Sequence, residues 1–173
     1  FNLDKMGYAS STKSIDNLLK NINSNSLGEY EFLKVDLENK LDTQNALEYV
    51  FPDLIMHLAA ESHVDRSIDG PDSFIASNII GTFNLLESSR KIWRKFDKKK
   101  KNTFKFHHIS TDEVFGSLGK TGKFSEGTPY KPRSPYAASK ASSDHLVLSW
   151  HHTFGFPVVL TNCSNNYLSL IHI

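Results

Sequence analysis

Three short clusters in this chain carry side chains that could do chemistry. The first is Ile109-Ser110-Thr111-Asp112-Glu113-Val114-Phe115-Gly116. Apolar, β-rich residues lead into it (Phe104, Phe106, Ile109) and a glycine closes it, so it reads as a buried strand ending in a loop with two adjacent acids. Hydroxyls and carboxyls at the carboxyl end of a strand stand where open α/β sheets place their ligands. Two neighbouring acids in a partly enclosed site can be driven to different pKa values, so that one gives a proton and the other takes one. Taken alone, the octapeptide also reads as a solvated Thr-Asp-Glu cap or turn.

The second cluster is Tyr136-Ala137-Ala138-Ser139-Lys140. Tyr136 and Lys140 are four apart and share one face of a helix. A phenol is a poor base near neutrality. A neighbouring ammonium and a cationic nicotinamide ring would lower its pKa. Such a tyrosine can take the proton from a sugar hydroxyl while hydride leaves the same carbon. The third cluster is Leu58-Ala59-Ala60-Glu61-Ser62, whose small residues would let a planar or ribose-bearing ligand approach the backbone. A bare Tyr-x-x-x-Lys is a weak signal. It gains force from the Ser-Thr strand end and Pro-rich loop before it, inside an alternating α/β chain.

The elements around these clusters must position them. Phe1 to Leu3 is strand-like and ends on Asp4. Ser10 to Thr12 offers caps for a helix with Ile15, Leu18, Leu19 and Ile22 at helical spacing. Tyr30 to Val35 is a short strand. A helix with Leu41, Ala46, Leu47 and Val50 is stopped by Pro52. Leu54 to Ala60 is a near-continuous apolar run and predicts a strand buried on both faces. Glu61 to Asp69 reads as a polar loop. A long helix starts at Pro71 and runs to about Arg94, with Ile75, Ile79, Phe83 and Leu86 on one face. Lys98 to Lys101 reads as a solvated connection. Lys105 to Ser110 is a strand, Phe115 to Pro135 a long loop, Tyr136 to Phe154 a helix ended by Gly155, and Pro157 to Thr161 a last strand. Five strands alternating with helices predict an α/β, Rossmann-like, doubly wound parallel sheet.

Composition sets the frame. The 173 residues are 39% hydrophobic and 23% charged, which is ordinary for a folded domain. The net charge of +1 gives no reason to expect nucleic acid or an anionic membrane as partner. One cysteine, Cys163, excludes an internal disulfide and suits a reducing compartment, so a cytoplasmic setting is expected. Eight histidines include His107-His108, but strand neighbours point to opposite faces, and no metal site is expected. Cys163 reads as a packed thiol, and Trp93 and Trp150 as packing residues.

The chain resembles the extended short-chain dehydrogenase/reductase superfamily, and within it the dTDP-glucose 4,6-dehydratase family. The matching pieces are Asp4-Lys5 with Tyr8-Ala9, His57 through Ile68, Ser110 through Gly116, Ser134 through His145, and Thr161 through Tyr167. The Thr-Asp-Glu element is the specific part, because sugar-nucleotide epimerases share the Tyr/Lys pair but usually carry other residues at positions 112 and 113. The resemblance implies NAD as cofactor and dTDP-glucose as substrate. It implies that Asp4 holds the adenosine ribose, with Lys5, Met6 and Gly7 along the same region; members often have Thr where Gly7 stands. Asp36 and Leu37 would hold the adenine. Leu58, Ala59, Ala60 and Ser62 would pass under the nicotinamide half, with Ser62 also near the sugar. Ser77 would sit by the cofactor, Thr111 would orient the glucose, Asn165 would face the substrate and Asn166 the cofactor. Asp112 would be the general acid, Glu113 the general base, and Tyr136 with Lys140 would drive oxidation. Titration of the acid pair is expected to be coupled. The full-length parent is expected to form a homodimer.

No Gly-x-x-Gly-x-x-Gly pattern links a first strand to a helix; the one run with that spacing, Gly116, Gly119 and Gly122, lies in the loop after the acid pair. In the superfamily the loop of that pattern follows a first strand and cradles the pyrophosphate. The expectation is therefore a partial NAD-binding domain over residues 1–167, lacking the central first strand and the carboxy-terminal substrate region. With a sheet order of 3-2-1-4-5-6, two strand edges would face a gap. Leu168 to Ile173 read as translated adapter sequence foreign to the protein, which an uninterrupted genomic frame through those codons would overturn. The alternatives are another nucleotide-sugar dehydratase or epimerase of the superfamily, or an inert nucleotide-binding piece.

Overall fold

The computed structural model describes residues 1–8, 10–21 and 28–164. Asn165, Asn166 and the hexapeptide 168–173 lie outside the described residues, as does Ile22. Strand and helix alternate as β1 (Asn2–Asp4), α1 (Lys13–Asn21), β2 (Phe32–Lys34), α2 (Lys40–Val50), β3 (Leu54–His57) and α3 (Val64–Asp69). A continuous helical run follows: α4 (Asp72–Phe74), a π-helical stretch (Ile75–Gly81) and α5 (Thr82–Lys95). Then come α6 (Lys98–Thr103), β4 (Lys105–Thr111), a 3-10 turn (Asp112–Phe115), α7 (Pro135–Phe154) and β5 (Val158–Cys163).

The described strands form two parallel sheets, β1-β2 and β3-β4-β5. Register runs Asp4 to Lys34 in the first, and Ile55 to Phe106 to Val158 across the second. Between β1 and β3 lies a groove of about 550 Å³, lined by Asn2 and Leu3 on one side and Leu54 to Leu58 on the other. This groove corrects one expectation. β3 is not buried on both faces: Ile55 and His57 are buried, but Leu54 and Met56 are each more than half exposed. Their side of the strand faces the groove, where no described element covers them.

Local chemistry accounts for most element ends. Asn39 caps α2, its Oδ1 accepting the amides of Leu41 and Asp42, and Phe51 closes it in the left-handed region at φ 46°. Ser134 caps α7 by accepting the Ala137 amide, Pro135 fills the first helical position, and Gly155 ends the helix at φ 63°. Two stretches read as irregular are helical. Residues 64–69 coil into α3 between His63 and Gly70. Lys98 to Thr103 form α6 because Asp97 accepts the Lys100 amide, while Lys100 itself folds back onto Asp53 and the Phe51 carbonyl. The apolar side chains of α1 are not a buried stripe; Leu18 and Leu19 are exposed.

The main core joins α2, α5 and α7 to β3 and β4 through Leu47, Ile55, Leu85, Leu86, Ile92, Phe106, Val147 and Phe156. Phe106 and Phe156 are fully buried and their rings meet at a tilt of 53°, 5.8 Å between centroids. Truncating either to Ala would cost about 3–5 kcal/mol. Trp93 and Trp150 pack against this core as expected. A second, smaller cluster of Val114, Phe115 and Ala141 sits under the acid turn, with Phe124 and Tyr130 against it.

Candidate active site

The carboxyl ends of the parallel strands carry the candidate residues: Asp4 ends β1, Asp36 follows β2, Ala59 to Glu61 follow β3, and Thr111 ends β4. A cleft of about 130 Å³ opens there, lined by Asp4, Lys5, Gly7, Asp36, Leu37, Ala59, Ala60 and Ser77 among others. Eight of the residues proposed for a cofactor therefore meet in one place. Asp4 Oδ1 accepts the Met6 amide and, at 3.0 Å, the Ser10 hydroxyl, which fixes the carboxyl at the cleft. Met6 reaches this position with φ 60° and contributes its backbone. Leu58 instead lines the groove beside β3, and Ser62 is exposed.

One wall of the cleft is a charged brace. Lys5 Nζ donates to Ser77 Oγ at 2.7 Å and to Glu38 Oε1 at 3.1 Å, and lies 3.6 Å from Glu61. Ser77 in turn donates to Glu38 at 2.7 Å. That Ser77 bond, followed by the Lys5 bond and charge, holds Glu38 below its ordinary value against the opposing effect of burial. Burial works against the Lys5 cation, yet Glu38 and the surrounding acids raise its pKa on balance. Asn78, on the π-helical stretch, binds the next loop from both sides. Its Oδ1 accepts the Glu61 amide at 2.8 Å, and its Nδ2 donates to the Glu61 carbonyl and to Ser139 Oγ, both at 2.9 Å. π-helical turns recur at functional sites because they redirect one side chain.

The second half of the site joins β4 to α7. Thr111 caps the 3-10 turn: its Oγ1 accepts the Glu113 amide at 3.2 Å. Tyr136 and Lys140 are buried on one face of α7. Lys140 Nζ donates to the Ile109 carbonyl at 2.8 Å. Burial lowers the Lys140 pKa, opposed by the charge of Asp144. Burial raises Glu113, and the neighbouring Asp112 charge adds to it, so Glu113 is a stronger base once ionised. Burial, then the charges of Glu113, Asp112 and Asp144, raise the Tyr136 pKa, with Thr111 alone pulling down.

Several residues at the site were given no role there from the sequence. Asn78 and Glu38 are two. Asp144, Tyr130 and His108 form a third group beneath the acid turn. His108 Nε2 lies 3.1 Å from Asp144 Oδ1, and burial lowers its pKa despite that carboxyl. His107 points the other way, to Thr161 at 3.0 Å. Among the described residues no group of three or more His, Cys, Asp or Glu could hold a metal ion.

Parallel strands, crossover helices, a cleft at the strand carboxyl ends and a buried Tyr-x-x-x-Lys helix define a Rossmann-like protein of the short-chain dehydrogenase/reductase kind. The chain belongs to the GDP-mannose 4,6-dehydratase family, whose model matches residues 1–170. A dTDP-glucose 4,6-dehydratase of Xanthomonas campestris is 49% identical over 166 residues, covering 96% of this chain and 46% of that protein. One from Haemophilus influenzae is 49% identical over 172 residues, covering 99% and 49%. Among solved structures, a dTDP-glucose 4,6-dehydratase double mutant from Streptomyces venezuelae, crystallised with NAD, matches at a TM-score of 0.80 and 34% identity. That match covers 96% of this chain and 46% of the other. The chain thus spans about half the length of the relatives it matches.

Proposed function

We propose that the full-length protein dehydrates dTDP-glucose to dTDP-4-keto-6-deoxyglucose with NAD, in the cytoplasm and as a homodimer. The observation that carries this reading is the union of an acid pair with a redox-type tyrosine: Lys140, on the buried face of α7 with Tyr136, donates to the Ile109 carbonyl at 2.8 Å, three residues before the Asp112 and Glu113 pair at the end of β4. Simple oxidation needs only the Tyr136/Lys140 pair. The adjacent acids supply the proton donor and acceptor that elimination of water requires. The names of the relatives support the substrate, and the NAD-bound homologue supports the cofactor. Exposed Ile75, Ile80, Leu148 and Phe154 on the helical layer leave apolar surface for a second copy.

The residues fit a dinucleotide. Asp4 would hold the adenosine ribose, Asp36 and Leu37 the adenine, with Lys5, Met6, Gly7 and Ser77 beside them. Ala59 and Ala60 present no bulk between backbone and ligand, with Leu58 and Ser62 flanking and Asn166 completing the set. When bound, NAD would supply the hydride acceptor for C4 of the sugar and the hydride donor for C6. Tyr136 takes the proton of the C4 hydroxyl, with Lys140 as the nearby cation. The resulting ketone acidifies the C5 proton, which Glu113 removes. Asp112 protonates the C6 hydroxyl as its C–O bond breaks and water leaves. Thr111, Ser62 and Asn165 would orient the sugar. No net redox change accompanies the turnover, so one site needs both chemistries.

The test is an assay of the full-length protein with NAD and dTDP-glucose for the 4-keto product; absence of product would refute the reading. GDP-mannose belongs in the same assay, because the matching family is described by that substrate.

A further inference from the structure

The most completely buried carboxyl beneath the site belongs to Asp144, which the mechanism above does not use. It is fully enclosed, and buried acids are costly unless hydrogen-bonded. Its Oδ2 accepts two hydroxyls, Ser110 Oγ at 2.7 Å and Tyr130 Oη at 2.9 Å. These donors come from different elements. Ser110 precedes Thr111 at the end of β4, while Tyr130 belongs to the long loop that returns from the acid turn. The residue after Tyr130 closes the circuit, because the Lys131 amide donates to the Val114 carbonyl at 2.9 Å. The Tyr130 ring also meets Phe115 edge-on at 5.2 Å. One carboxyl on α7 thus holds both ends of the Thr111–Gly116 turn.

We propose that Asp144, acting with Tyr130 and Ser110, is a positioning residue that sets Asp112 and Glu113 against Tyr136 for the elimination step. It stands one helical turn beyond Lys140, so the helix that presents the Tyr/Lys pair also anchors the acid pair. The two halves of the chemistry are held in register by one side chain. Tyr130 suits this duty, since burial, together with the Asp144 charge, pushes its pKa up to about 12 and keeps the hydroxyl a donor. The inference rests on the dehydratase reading for its kinetic consequence, but not for its structural one.

Single-turnover kinetics of the full-length enzyme test it with Tyr130→Phe and Ser110→Ala, which each remove one donor and leave packing in place. Reduced-cofactor absorbance reports oxidation, and 4-keto-6-deoxy product reports elimination. In each variant elimination should slow about tenfold while oxidation changes less than about twofold, so reduced cofactor accumulates. The double variant should fall short of the product of the two effects, because both donors serve one oxygen. Equal slowing of both steps, or slowing of neither, overturns the proposal. A second readout needs no substrate: in a carboxyl-carbon NMR titration, Tyr130→Phe should move Glu113 back toward its ordinary value as the turn opens to water. An unchanged Glu113 titration overturns the positioning role. Failure of the unaltered enzyme to make product would count against the function alone.

Discussion

The side-chain amide of Asn78 and the hydroxyl of Ser139 lie 2.9 Å apart, and this bond ties the wall of the cofactor cleft to the helix between Tyr136 and Lys140. Ser139 is committed in turn to the Tyr136 carbonyl at 2.7 Å. The cleft and the tyrosine therefore cannot shift independently. Asn78→Ala should strip partners from both backbone groups of Glu61 and from Ser139. The expected loss is about 2–4 kcal/mol of unfolding free energy. Urea denaturation of the full-length variant measures it, and an unchanged midpoint would remove Asn78 from this role.

The parallel α/β architecture was legible because each strand and helix carries a local signal. Pro135 and Ser134 start α7 and Gly155 ends it; Asn39 starts α2. The reactive clusters were legible for a related reason, since Tyr136 and Lys140 meet by helical spacing alone. Asn78, Asp144 and Tyr130 were not, because their partners lie 61, 34 and 14 residues away and only the fold brings them together. The burial of β3 was overestimated because an apolar run looks the same whether one face or two is covered. Spacing places Lys140 on the face of Tyr136, but it does not show that the ammonium donates to the Ile109 carbonyl.

Gly116 follows the acid turn at φ 90°, and a β-carbon there would stand 2.5 Å from the Lys131 carbonyl oxygen. That carbonyl belongs to the backbone and cannot swing aside. Gly116→Ala should therefore destabilise the protein by roughly 2–4 kcal/mol and displace Lys131 from Val114. Gly127→Ala, in the same loop with open space around it, should be close to neutral. Equal thermal shifts for the two variants would contradict the close approach.

Glu113 should make stability depend on pH in an unusual direction for a carboxylate. Its folded pKa lies above the ordinary 4.5, so the folded state holds this proton more tightly than the unfolded chain does. The stability it contributes is complete below that ordinary value and is lost as pH rises through the folded one. At neutral pH the ionised group weighs against folding. Glu113→Gln is expected to melt higher than the parent at neutral pH, with the difference closing in acid. A difference that grew on acidification would show the shift to have the opposite sign.

The acid pair and the phenol should also be separable by step and coupled by charge. Tyr136→Phe removes the group that takes the C4 hydroxyl proton, so oxidation should fall about 10²–10⁴-fold. Asp112→Asn and Glu113→Gln should retain cofactor reduction while losing dehydration. Each also deletes a negative charge that holds the Tyr136 pKa up. The rising limb of the oxidation rate against pH should then move to lower pH in both variants, because the phenol ionises more readily. Stopped-flow absorbance of reduced cofactor across a pH series reads both effects at once. Loss of oxidation and dehydration in equal measure would show that the two carboxyls serve the tyrosine's step rather than a separate one. An unmoved limb would show that their charges do not reach it.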